Sequence, residues 1–413
     1  MERCSNPPAG KMGSAVALIS SRKQTVAFMV LLMVLASPIA RADVWKEVTN
    51  NTQGICFTFV EPLGSYQCKE FSVPTEDGFL LGVQKVSSTK IAKAKKDPVF
   101  MYHGIMQGGD VWLLNSPSES LAFLLADSGH DVFIGNTRSS NFSYGHKTYS
   151  RSDKEFWDWT WDDLVDHDLP SMLQFVHDQT NETLLFVGFS QGTMTAFASF
   201  TQSSVVSLVK KAVMLSPIAY LRHVTAPLLE VAAWLFADEI LLLAGVYEFS
   251  VENEGGRRFT DMVCKSAQLK CYDGSLLSLI TGPNCCMNTS RMPYYTIYEV
   301  QSTSMKNIAQ MAQLVRSGGF SRFDYGLFGN LAHYRSIFPS SYDLSAIPAD
   351  LPIMLAHGGQ DTLADKVDVS DLIASLQGDP QVILVPEYAH GDFVLALNAT
   401  TEVYDKVLNF FNS

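Results

Sequence analysis

The first feature of the sequence that could do chemistry is a serine between two glycines. The stretch LLFVGFSQGTMTAF, residues 184–197, places Ser190 two residues from Gly188 and Gly192. An apolar run precedes the serine and a helix-like pattern follows it, which is the strand–turn–helix setting of a nucleophile elbow. Side chains would clash at both glycine positions, and the helix N-terminus helps to stabilise negative charge beside the hydroxyl. The pattern therefore predicts that Ser190 is a catalytic nucleophile.

A serine hydroxyl needs a base to remove its proton, and that base needs an acid to orient it. In the architecture that carries a nucleophile elbow, the partners follow in the order serine, acid, histidine. His390, in VPEYAHGDF, lies beyond the last apolar run, and Asp361 follows the run IMLA in the loop HGGQD. We predict that His390 is the general base and later the general acid, and that Asp361 orients it.

Neighbouring residues offer alternatives for these two roles. His357 could be the base, but it lies before the acid and close to its strand. Asp392 could be the acid, but residues so near to His390 in sequence rarely aim their side chains at each other. Asp365 and Asp368 are expected on the following helix, facing solvent. The assignment that contains His390 and the loop aspartate is therefore preferred.

An oxyanion hole requires two backbone N–H groups aimed at the developing charge. One should come from Gln191, directly after the nucleophile. The other should come from MYHGIMQGGDVW, where His103 and Gly104 follow an apolar run and Ile105 can point its N–H inward. We expect His103 to brace this loop rather than to take part in the chemistry.

Short apolar runs without polar alternation indicate strands that are buried on both faces of a parallel sheet. They lie at 99–102, 132–134, 184–187, 212–215, 353–356 and 382–385. Helical patterns separate them, one with Asp168 as N-cap and Pro170 in its first turn. A hairpin signal at Asp77-Gly78 within 71–86 precedes them. This order predicts an α/β fold with a mostly parallel, doubly wound sheet.

The strand rhythm lapses after Ile218 and resumes near residue 351, which predicts an inserted helical cap. Its apolar run, 226–247, carries Glu230, Asp238 and Glu239, which argues against a membrane span. The predicted organisation assigns residues 1–42 to a signal peptide, 43–217 to the first part of the core, 218–345 to the cap and 346–413 to the second part of the core.

The N-terminus has the order of a secretory signal peptide. Arg22 and Lys23 precede an apolar run of about 12 residues, and the small-residue site around Arg41 predicts cleavage after Ala42. Cleavage removes five basic residues and one acid, so the formal net charge falls from −12 to −16. Such an acidic surface argues against binding to nucleic acid or to anionic membranes.

Cysteines and glycosylation sequons agree with export. Six cysteines remain after cleavage, an even number that favours disulfides, and the isolated pair Cys56 and Cys68 is expected to be bonded. The spacings of a zinc site are absent. Asparagines in N-x-S/T sequons are expected on glycosylated surface loops. They are Asn50, Asn141, Asn181, Asn288 and Asn398.

Many segments match one family in order along the chain. They include GSYQCKEFSVPTEDGFLL, HGIMQGGDVWLLN, SLAFLLADSGHDVFIGNTR, EFWDWTWDDLVDHDLP, VGFSQGT, LSPIAYL, ITGPNCCMN, FDYG, GGQDTLADKVDV and YAHGDFV. Together they resemble the acid lipase family of α/β-hydrolases, which includes gastric and lysosomal acid lipases and plant triacylglycerol lipases. DWTWDDL and GPNCCMN look most like the plant branch.

The resemblance implies the α/β-hydrolase fold and a serine-type hydrolase of long-chain acylglycerols that works at a lipid–water interface, secreted or vacuolar/lysosomal, without metal or organic cofactor. It implies the same triad, Ser190, Asp361 and His390, and the same oxyanion-hole residues. The alternatives are a steryl esterase, a general carboxylesterase and a non-catalytic lipid-binding protein. The chain departs from the family at Phe189, where histidine is usual, and at Ser139, where glycine is usual.

Overall fold

The computed structural model describes residues 54–91, 96–250, 278, 280–298 and 300–413. The expected signal peptide, Asn50, Cys264 and Cys271 lie outside the described residues. The strands are β1 Tyr66–Pro74, β2 Leu80–Ser88, β3 Val99–Tyr102, β4 Val132–Gly135, β5 Leu184–Phe189, β6 Val209–Leu215, β7 Glu248–Phe249, β8 Thr303–Ser304, β9 Ile353–Gly358 and β10 Gln381–Val385.

The described α-helices all follow β3 in the chain. They are α1 Leu121–Asp127, α2 Trp161–Asp163, α3 Leu169–Thr180, α4 Gln191–Ser199, α5 Ser203–Val206, α6 Pro227–Trp234, α7 Ala237–Leu243, α8 Met292–Tyr298, α9 Met305–Ser317, α10 Gly326–Tyr334, α11 Lys366–Ser375, α12 Asp392–Leu395 and α13 Asp405–Asn412. Within the described residues, no helix is both long and apolar enough to cross a bilayer.

Eight strands form one sheet in the order β1-β2-β4-β3-β5-β6-β9-β10. The hairpin β1–β2 is antiparallel, and β2 also pairs antiparallel with β4. From β4 to β10 every neighbouring pair is parallel. Each of the six apolar runs corresponds to a parallel strand, so the predicted doubly wound sheet and its leading hairpin are confirmed.

Burial on both sheet faces holds for the central strands but not for the last one. Every residue of β3 and β5 is buried, because helices cover both faces of the sheet. The prediction was wrong for β10, where Val382 is 43% exposed and Leu384 is 53% exposed. This strand is the edge of the sheet, so part of it faces solvent.

The expected role of Asp168 as a helix cap was wrong. A π-helical turn, Leu164–Asp168, continues directly into α3, so the backbone at Asp168 is already helical and its side chain makes no cap. Its buried carboxylate instead accepts from the side chain of Arg138, with Oδ1 lying 3.0 Å from Nε and 2.7 Å from Nη2. The same guanidinium donates to Asp77 through Nη1 at 2.8 Å. This ion cluster ties the hairpin turn and α3 to the loop after β4.

The described residues between β6 and β9 contribute no strand to the eight-stranded sheet, as the sequence predicted. They form α6 to α10 and a two-residue antiparallel ladder between β7 and β8. The expected disulfide between Cys56 and Cys68 is confirmed. A second disulfide joins the adjacent residues Cys285 and Cys286 within this segment.

The buried ion cluster generates a stability prediction. Asp168→Ala leaves the guanidinium of Arg138, which is 1% exposed, without its buried partner. Breaking this buried pair, while the partly exposed Asp77 stays in place, should lower the free energy of unfolding by about 3–5 kcal/mol, measured by urea denaturation. The control is Asp97→Ala, which removes a partly exposed partner of Lys210 and should cost no more than about 1 kcal/mol. Equal losses in the two variants would contradict the account of the cluster.

Candidate active site

The candidate nucleophile lies on a sharp turn between β5 and α4. Ser190 has φ +54° and ψ −122°, a conformation that residues with side chains rarely adopt. The turn brings the start of α4 against the end of β3. A Cβ at Gly192 would lie 2.5 Å from the carbonyl oxygen of Tyr102 and 2.7 Å from that of His103. A glycine is therefore required at this position for the turn to form.

Three side chains from distant parts of the chain form one hydrogen-bonded line. His390 Nε2 lies 2.7 Å from Ser190 Oγ, and His390 Nδ1 lies 2.8 Å from Asp361 Oδ2. A carboxylate accepts only, so Nδ1 carries the proton and Nε2 is free to accept from the serine hydroxyl. The structure thus brings together the three residues that the sequence analysis selected.

Each of the two partners is held by the loop that follows a strand of the sheet. Asp361 lies after β9, and its Oδ1 accepts from the backbone N–H groups of Leu363 and Ala364 at 2.9 Å each. His390 lies in the loop after β10, which leaves the sheet at the same end as the loop after β9. Parallel strands deliver their following loops to one edge, which explains how residues 29 and 200 positions apart in sequence meet here.

The structure gives the competing residues no place in this line of hydrogen bonds. His357 lies within β9 and is 8% exposed, and burial lowers its pKa. The carboxylate of Asp392 accepts from backbone N–H groups rather than from His390. Asp365 caps α11 through the N–H of Val367. The expectation that Asp368 faces solvent was wrong, because this side chain is 2% exposed and pairs with a histidine.

One expected oxyanion donor lies in a loop that passes beside the serine, and the other directly follows the serine in the chain. A Cβ at Gly104 would lie 3.0 Å from Ser190 Cβ, so the loop after β3 runs directly beside the nucleophile. Ile105 follows in that loop, and Gln191 is the first residue of α4. Within the described part of the chain, neither backbone N–H donates to a protein acceptor. Both N–H groups are thus available to a ligand oxygen.

His103 braces this loop as a neutral imidazole. Its Nδ1 lies 2.8 Å from the carbonyl oxygen of Gly104, and the N–H of Thr137 donates to its Nε2 at 3.1 Å. One ring nitrogen therefore carries a proton and the other accepts. Burial lowers the pKa of His103 to about 4, although the bond to Gly104 opposes this shift. The histidine links the loops after β3 and β4.

Two neighbours of the site make contacts that the sequence did not predict. Asn307, on α9, accepts at Oδ1 from the side chain of Gln191 at 2.7 Å and so connects the inserted segment to the start of α4. No local pattern indicates this contact between residues 116 positions apart. The ring of Phe189 lies 5.2 Å from that of His390, centroid to centroid, and 6.4 Å from that of Trp112. Phe189, which stands where the family usually has histidine, thus places an apolar ring beside the imidazole of His390.

The arrangement is compact and almost closed. Ser190 is 4% exposed, His390 is 4% exposed and Asp361 is 5% exposed. A nucleophile, a base and an orienting acid in this order can carry out acyl transfer, in which the serine attacks a carbonyl carbon. The low exposure also keeps water from weakening their hydrogen bonds.

Four of the five sequon asparagines are in the described residues. Asn141, Asn181 and Asn398 are exposed, and Asn288 is partly exposed. The side chain of Asn398 accepts from the hydroxyl of Tyr388 at 2.8 Å. Exposure of the asparagine is the condition that glycosylation requires of the folded surface.

Comparison with known families and relatives extends over most of the chain. The α/β hydrolase fold model matches residues 97–397, and a partial α/β-hydrolase lipase region matches residues 63–116. The chain is 41% identical to triacylglycerol lipase 1 of Arabidopsis thaliana over 87% of this chain and 90% of that protein. It is 32% identical to human lysosomal acid lipase/cholesteryl ester hydrolase over 83% of this chain and 87% of that protein.

Solved structures at low identity support the fold alone. A putative lipase from Sulfolobus solfataricus has a TM-score of 0.56 at 14% identity, over 84% of this chain and 94% of that chain. A soluble variant of monoglyceride lipase from Saccharomyces cerevisiae has a TM-score of 0.53 at 14% identity, over 83% of this chain and 96% of that chain. With the parallel sheet, the lipase-region match and relatives at 31–41% identity in agreement, the chain belongs to the acid lipase family of α/β-hydrolases.

Proposed function

We propose that the chain is a serine-type lipid ester hydrolase that acts on long-chain acylglycerols. The observation that carries the proposal is the line of hydrogen bonds from Ser190 through His390 to Asp361, at 2.7 Å and 2.8 Å. A solvated serine hydroxyl is a poor nucleophile, and this geometry supplies the base that activates it. The substrate class follows from relatives that are named triacylglycerol lipases.

In the first half of the reaction, Ser190 Oγ attacks the ester carbonyl carbon while its proton moves to His390 Nε2. The N–H groups of Ile105 and Gln191 stabilise the resulting oxyanion. The bond to the alcohol then breaks, and Nε2 gives its proton to the departing alkoxide. Asp361 stabilises the imidazolium that exists between these two transfers.

In the second half, a water molecule loses a proton to His390 Nε2 and attacks the acyl carbon. The bond from that carbon to Ser190 Oγ breaks, and Nε2 returns its proton to the serine. The products are the alcohol and the fatty acid, and the enzyme regains its starting state. Phe189, 2% exposed, keeps the side of the imidazole apolar during both halves.

Residues 218–345 would act as the cap over this site. The contact of Asn307 with Gln191 supports that position, because it joins the inserted segment to the nucleophile elbow. Steryl esters are a second candidate substrate, since a relative at 32% identity is named lysosomal acid lipase/cholesteryl ester hydrolase. Initial rates on emulsified triolein and emulsified cholesteryl oleate distinguish the two substrates.

The protein would reach its substrate through the secretory pathway. The sequence pattern of residues 1–42 and the relatives named gastric and lysosomal lipases support this proposal. The exposed sequons at Asn141, Asn181 and Asn398 would then carry glycans, as would Asn50 and Asn288. The enzyme would work at the surface of a lipid droplet or emulsion, where its insoluble substrate is found.

The first test removes the nucleophile. Ser190→Ala should lower the rate of triolein hydrolysis by at least about 10³-fold, because no acyl-enzyme can form. Free fatty acid release by the purified protein measures this rate.

The matched control is Ser199→Ala, a second buried serine, at the end of α4, whose hydroxyl donates to the carbonyl oxygen of Val165. This variant should keep a rate within about threefold of the wild type, since Ser199 touches none of the reacting groups. Retained hydrolysis in Ser190→Ala would refute the assignment of the nucleophile.

The second test uses the buried His103. Its pKa of about 4 lies below the ordinary value of 6.5, so the unfolded chain binds more protons between these pH values. The free energy of unfolding should therefore fall as the pH is lowered from 6.5 to 4, with a contribution of up to about 3 kcal/mol from this residue.

Urea denaturation of the wild type and of His103→Gln at several pH values isolates that contribution. The difference in the free energy of unfolding between the wild type and the variant should shrink as the pH falls from 6.5 to 4. It should be constant above pH 7. A difference that stays the same from pH 7 to pH 4 would show that His103 is not held neutral by the fold.

A further inference from the structure

One buried carboxylate beside the site takes no part in the proposed reaction. Asp392 is fully buried, and its two oxygens accept three backbone N–H groups. Oδ2 accepts from Ala389 at 2.9 Å and from Cys285 at 3.1 Å, and Oδ1 accepts from Cys286 at 3.1 Å. Burial raises the pKa of Asp392, and the three N–H bonds oppose that shift. A buried carboxylate that accepts from two separate segments holds those segments together.

Asp392 joins the histidine loop to the inserted segment. Ala389 directly precedes His390, whereas Cys285 and Cys286 lie in the inserted segment that precedes β9 in the chain. The cysteines are adjacent and disulfide-bonded, so their two N–H groups belong to one constrained dipeptide. A carboxylate can accept both of these N–H groups and a third one, because each oxygen has two lone pairs.

Further bonds follow the same path. The N–H of His390 donates to the carbonyl oxygen of Thr281 at 3.0 Å, and the N–H of Gly391 donates to Asn284 Oδ1 at 2.9 Å. The N–H of Leu397 donates to the carbonyl oxygen of Cys286 at 2.9 Å. The backbone on both sides of the imidazole is thus bonded to residues 281–286, which we call the brace.

The brace also contacts the loop that carries the orienting acid. Thr362 Oγ1 donates to the carbonyl oxygen of Ile280, the residue directly before the brace, at 2.9 Å. Gly282 has φ +91°, and a Cβ there would collide with the carbonyl oxygen of Gln360 and lie 3.2 Å from Ala389 Cβ. The brace therefore fills the space between the two loops whose side chains must meet at hydrogen-bonding distance.

We propose that Asp392 is a positioning residue for His390, which it holds in reach of Ser190 by fastening the histidine loop to the brace. The inference deepens the proposed function and rests on it. The imidazole has to reach the serine and the acid at once, and its ring position follows from the backbone at residues 389–391. A shift of about 1 Å in such a group can lower the rate about 10²-fold.

The test replaces one acceptor oxygen by a donor. In Asp392→Asn, an NH₂ group faces backbone N–H groups, so at least one of the three bonds is lost. With a water-soluble nitrophenyl ester as substrate, kcat should fall about 10- to 100-fold while KM stays within about twofold. A merely structural role would lower stability without this separation of kcat from KM in the folded fraction.

The matched control is Asp368→Asn on α11. This aspartate is also buried, at 2% exposure, and accepts the N–H of His223 at 2.8 Å. Its partners lie outside the histidine loop, so the variant should lose stability and keep the wild-type kcat. Urea denaturation of both variants separates the loss of stability from the loss of turnover.

A wild-type kcat in Asp392→Asn, or a raised KM with an unchanged kcat, would overturn the proposal. If this variant does not fold, Asn284→Ala decides in its place, because it removes the acceptor of the Gly391 N–H from a partly exposed position. A fall in kcat of about 3- to 10-fold at constant KM supports the brace, and an unchanged kcat refutes it. An active Asp392→Asn alongside an inactive Ser190→Ala would reject this inference and leave the proposed function standing.

Discussion

The sharp turn at Ser190 is the constraint on which the rest of the site depends. A residue with a side chain holds a positive φ of +54° only where the surrounding structure fixes it there. The central strand β5 enters the turn fully buried, and α4 leaves it with Gly192 in contact with the backbone of β3. The turn lifts the hydroxyl above the sheet edge, where the loops of the other parallel strands arrive. Without it, the hydroxyl of Ser190 would not reach His390 Nε2.

The parallel sheet brings the loops together at one edge, and hydrogen bonds between the loops hold their side chains in position. His103 joins the loop after β3 to the loop after β4, and Asn307 joins the inserted segment to Gln191. Asp392 and the brace hold the histidine loop from the other side. The inserted segment thereby touches both the proposed oxyanion hole and the base, so its packing bears directly on the geometry of the chemistry.

Sequence reasoning succeeded where the signal was local or ordered along the chain. Apolar runs identified all six parallel strands, and the order of serine, acid and histidine selected Asp361 and His390 before any distance was known. The predictions were wrong for two aspartates whose partners lie far away in sequence. Asp168 resembles a helix cap and instead pairs with Arg138, and Asp368 resembles a surface residue and is buried. Only the packed fold determines such choices.

The most direct measurement of the central claim is the site of covalent labelling by a fluorophosphonate. The wild-type protein is labelled, digested and mapped by mass spectrometry, and the labelling rate is compared with that of His390→Ala. The account predicts one modified residue, Ser190, and a rate at least about 10²-fold lower in the variant, because the base that activates the hydroxyl is gone. Labelling at another serine, or equal rates in the two proteins, would contradict it.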